Sequence, residues 1–73
     1  MRYSEFWDLV DEVLGPLGRT VTRDLVVGAL GDRTSAQALD DGEDPVVVWR
    51  ALCDAQGVPP ALRWGRERPR RRA

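Results

Sequence analysis

The chain has no histidine, no lysine and a single cysteine, and these absences exclude more chemistry than any motif supplies. Without histidine or lysine there is no Ser/His or Cys/His pair, no Schiff-base amine and no phosphate-loop lysine. Cys53 alone closes no intrachain disulfide and, with histidine missing, builds no tetrahedral Cys/His zinc site. No apolar run exceeds the four residues 46–49, far short of the roughly 20 that a membrane-spanning helix needs. The amino terminus turns acidic at Glu5, where a secretory signal needs an apolar stretch. These absences lead us to expect a cytoplasmic protein with no cofactor, metal or membrane contact, and no enzymatic activity.

What is present is unevenly distributed. The net charge of −1 over 73 residues averages two unlike parts. Residues 1–62 hold five arginines against eleven acids, hence −6, whereas residues 63–73 hold six arginines against Glu67, hence +5. All eleven basic residues are arginine. A chain this short forms one domain and buries only about 60% of the surface its unfolded form exposes.

Helix start and stop signals dominate the remainder. Ser4 reads as an N-cap for a helix over 5–14, with Phe6, Trp7, Leu9, Val10, Val13 and Leu14 on one face and Glu5, Asp8, Asp11 and Glu12 on the other. Gly15-Pro16 ends it. The 21, 25, 29 spacing of Val21, Leu25 and Ala29 predicts a second helix running to Leu30. Its β-branched residues leave a strand as the alternative. Thr34 and Gln37 have capping-box spacing for a short third helix, and Gly42 limits it. Asp44-Pro45 is an N-cap followed by proline at the first helical position, opening a fourth helix to Gln56 with Gly57 at its stop. Val46, Trp49, Leu52 and Cys53 are its expected buried stripe, with Val47, Arg50, Ala51 and Asp54 outward and Arg50 within pairing distance of Asp54. Residues 61–64 can add one turn. The resulting expectation is an all-α domain over 1–64, a bundle of four short helices with a helix-turn-helix-like C-terminal pair, followed by a disordered basic tail at 65–73.

The candidate functional residues are then few. Cys53 falls on an apolar helical face and reads as core. The acids Asp40, Asp41, Glu43 and Asp44 cluster at a turn, but Gly42 stands where a calcium loop needs a ligand. As a recognition helix, 45–56 offers only Arg50 set among acids, which argues against groove insertion. Arg23, Arg33, Arg50 and Trp64 are the candidate protein-binding residues; Arg33 has the competing role of capping the carbonyls that end the second helix. Trp64 either lids the core or anchors a partner. Arg63, Arg66, Arg68, Arg70, Arg71 and Arg72 are the candidate nucleic-acid-binding set, with a solvated tail as the alternative. Val27 and Val47 are candidate contacts of a weak homodimer, a monomer being the other state expected.

Phe6-Trp7, Arg23-Asp24, Leu30-Gly31, Arg33-Thr34, Ala38-Leu39, Gly42, Asp44-Pro45, residues 48–54 and Val58-Pro59 together resemble the small actinobacterial family called domain of unknown function 3046. The resemblance covers residues 1–64 and implies an actinobacterial cytoplasmic protein whose genes adjoin those of a DNA-repair recombinase and its regulator. It implies no catalytic residues. Family members often place a second glycine where this chain has Asp32.

Overall fold

The first helix starts earlier than Ser4 signals, because the Glu5 carboxylate folds back to accept the Arg2 amide at 2.7 Å. Arg2 is thereby the N-cap, and in the computed structural model, which describes residues 1–64, α1 spans Tyr3–Leu9. A π-helical turn, Val10–Leu14, continues it, and Gly15, at φ 77°, breaks it. After a 3-10 turn at Gly15–Leu17, α2 spans Gly18–Asp24.

Here the expected second helix fails. Leu25 turns extended, at ψ 121°, and β1 (Val26–Val27) pairs antiparallel with β2 (Arg33–Thr34) in the register Val26 to Thr34 and Val27 to Arg33. The β-branched side chains explain the outcome: Val26 faces solvent and Val27 the core, an alternation of strands and not of helices. Gly28–Leu30 forms a 3-10 turn, and Gly31 and Asp32 close the hairpin with positive φ of 70° and 59°. Glycine takes that conformation freely and aspartate at some cost. The all-α expectation is corrected to a mostly helical domain with a two-stranded ladder, and no continuous four-helix bundle forms. Ala29, placed on the inner stripe by its spacing, is exposed in consequence.

The remaining signals are realised. Thr34 Oγ1 accepts the Gln37 amide at 3.1 Å while Gln37 Oε1 accepts the Thr34 amide at 2.9 Å, starting α3 (Ser35–Asp40). Asp44 Oδ1 accepts the Val46 amide at 2.9 Å, and Pro45 opens α4 (Pro45–Gln56). Gly57, at φ 69°, ends α4 by donating to Asp54, while Val58 donates to Cys53, so two otherwise orphaned carbonyls are satisfied. A last 3-10 turn, Pro60–Leu62, leads to Arg63 and Trp64. The basic tail expected at 65–73 lies outside the described residues.

The core centres on Trp49 of α4, fully buried, with Phe6 edge-on to it at 5.7 Å and 82°. Leu9, Val10, Val27, Leu30, Leu39 and Leu52 complete it, joined by Val48 and by Ala51, which the helical spacing had placed outward. Val27 is thus core and unavailable to a dimer, while Val47 stays half exposed. Trp7, expected in the core, is only partly buried and packs against its edge. Tyr3 donates its hydroxyl to the Leu39 carbonyl, tying the start of α1 to the end of α3.

Gly18 is where α2 meets the π-helical turn: a Cβ there would stand 2.7 Å from the Val10 carbonyl oxygen and 2.8 Å from Leu14 Cβ. Gly18→Ala is therefore expected to lower unfolding free energy by about 1–3 kcal/mol in chemical denaturation. At Asp32 the expectation runs the other way. Asp32→Gly should hold or raise stability by up to about 1 kcal/mol, whereas Asp32→Val should lower it by roughly 1–2 kcal/mol.

Candidate functional site

A buried indole needs an acceptor, and this requirement fixes the segment that leads to Trp64. Trp49 Nε1 donates to the Arg63 carbonyl at 2.9 Å. The Arg63 side chain, in turn, donates through Nε to the Val58 carbonyl at 2.9 Å and pairs with Asp54 Oδ1 at 2.8 Å. Residues 58–63 are thus clasped to the end of α4, and the Arg63 side chain is only 17% exposed. Assigned from sequence to the nucleic-acid-binding set, Arg63 spends its donors inside the fold. It also displaces Arg50 as the partner expected for Asp54.

The clasp fixes where Trp64 emerges. Trp64 is 39% exposed as a residue and shares a depression of about 420 Å³ with Met1, Glu5, Leu9 and Val46. It borders the depression together with Leu9 and is part exposed to solvent. Along α4, Arg50 lies one turn after Val46 and one turn before Asp54, so it stands on the stretch of helix that Arg63 and Trp64 flank. Arg50 is exposed and makes no ion pair among the described residues. Arg50 therefore lies on α4 between Val46, which shares the depression with Trp64, and Asp54, which pairs with Arg63.

The other candidates are dispersed. Arg33 has the capping role: its Nε donates to the Leu30 carbonyl at 2.7 Å, and its two terminal nitrogens bind Asp41 at 2.9 Å and Glu43 at 2.8 Å. It thereby pins the hairpin to the turn before α4. Its hydrogen bonds to the Glu43 and Asp41 carboxylates hold the guanidinium proton more firmly than usual. Arg23, in the last turn of α2, is exposed with no ion pair among the described residues. Arg66, Arg68, Arg70, Arg71 and Arg72 lie outside the described residues.

One arrangement escaped the sequence reading. Arg19 binds Asp11 through two nitrogens at 2.9 and 3.0 Å and stacks over Trp7 at 5.1 Å, lowering the Asp11 carboxyl chiefly through its hydrogen bond. The eight-residue spacing crosses a helix break, so no periodicity announces it. A second apolar depression, about 390 Å³, runs between Val13 of the π-helical turn and Val58, Pro59 and Leu62 of the clasped segment. Among the described residues no group of three or more ligating side chains is placed to hold a metal ion, and no helix is long and apolar enough to cross a membrane.

What the fold defines is a small, mostly helical domain with a short two-stranded ladder and a part-exposed aromatic at position 64. The chain belongs to the family described as protein of unknown function (DUF3046), whose model matches residues 1–61. That match stops short of Arg63 and Trp64. No match was found among curated proteins or among solved structures.

Cys53 is fully buried, and burial pushes its thiol from 9.0 up to about 11. Between those values the unfolded chain loses the thiol proton and the native one keeps it, so stability falls as pH rises from 9 toward 11. Cys53→Ala is expected to remove that component of the slope, measured by denaturation at several pH values. The native thiol should react with a thiol reagent only as fast as the domain opens.

Proposed function

We propose that the chain is a non-enzymatic helical interaction module that acts through Trp64 and the exposed Arg50 of α4. The observation that carries this reading is the clasp, which ties residue 63 to Trp49, Val58 and Asp54 and so sets where the part-exposed Trp64 emerges. Exposed tryptophan and arginine are the residues most enriched at energetic hot spots of interfaces, and a preset side chain loses little entropy on contact. A protein partner, in a regulatory or accessory role, is the reading we favour for the folded body, with Arg23 as a further exposed contact. Absence of histidine and lysine, together with a thiol protonated at neutral pH, supports the non-enzymatic assignment.

A second reading, an accessory nucleic-acid-binding protein, is supported by the arginines at 66, 68, 70, 71 and 72, which follow Trp64 directly in the chain. A cytoplasmic location in an actinobacterium accompanies both readings.

Site-specific photo-crosslinking in cells tests the module itself. A crosslinker replacing Trp64 is expected to yield a discrete adduct that Arg50→Ala weakens, while one replacing the exposed Leu17 yields none. Equal labelling from both positions, or none from position 64, would remove this surface from consideration.

A further inference from the structure

We draw no further inference here: the strongest candidate, the apolar groove between Val13 of the π-helical turn and Val58, Pro59 and Leu62 of the clasped segment, carries none because nothing in the structure shows what covers it.

Discussion

Everything on this surface traces back to one buried donor. Trp49 fills the centre of a very small core, where its ring is the largest fully buried side chain, and its indole N–H has no water to bond. Leaving such a group unpaired costs about 1–3 kcal/mol, a large share of what a domain this size can hold. The Arg63 carbonyl meets the requirement from 14 residues further along the chain. Its side chain then braces the same segment against Val58 and Asp54, so packing in the interior dictates the position of a residue on the outside.

The arginines divide accordingly into two populations. Arg33 and Arg63 act as polar staples, each satisfying a main-chain carbonyl and pairing with at least one acid, in a domain whose single cysteine closes no intrachain disulfide. Arg19 serves α1 and α2 in a similar way at a more exposed site, where its pairing with Asp11 contributes little and its guanidinium also stacks over Trp7. Arg23 and Arg50 remain outward. A charge census treats these residues alike, whereas geometry assigns Arg19, Arg33 and Arg63 to the fold.

Much of the local architecture was legible because helix boundaries are written in short-range chemistry. The Thr34/Gln37 box, the Asp44-Pro45 start and the Gly57 stop each bind atoms within a few residues, and no distant packing needed to be known. The hairpin was not legible for the opposite reason. Residues 21, 25 and 29 carry helical spacing by coincidence, while the pairing of Val26 and Val27 with Arg33 and Thr34 depends on two successive positive-φ residues, one of them aspartate. Arg63 was misread because a run of arginines looks uniform in sequence; the usable signal was Trp49, whose burial was expected and whose N–H therefore needed an acceptor. The depression at Trp64 joins residues from α1, from α4 and from beyond the last helix, a juxtaposition that spacing within one element does not report.

The central claim, that the Trp49 N–H is sealed by the Arg63 carbonyl and so sets where Trp64 emerges, is tested most directly by hydrogen exchange of the indole protons followed by NMR. The account expects the Trp49 indole proton to exchange only with opening of the core, orders of magnitude more slowly than that of Trp64. Exchange of the two at the same rate would show that the segment from 58 to 63 is not clasped to α4, and the proposed surface would lose its physical basis.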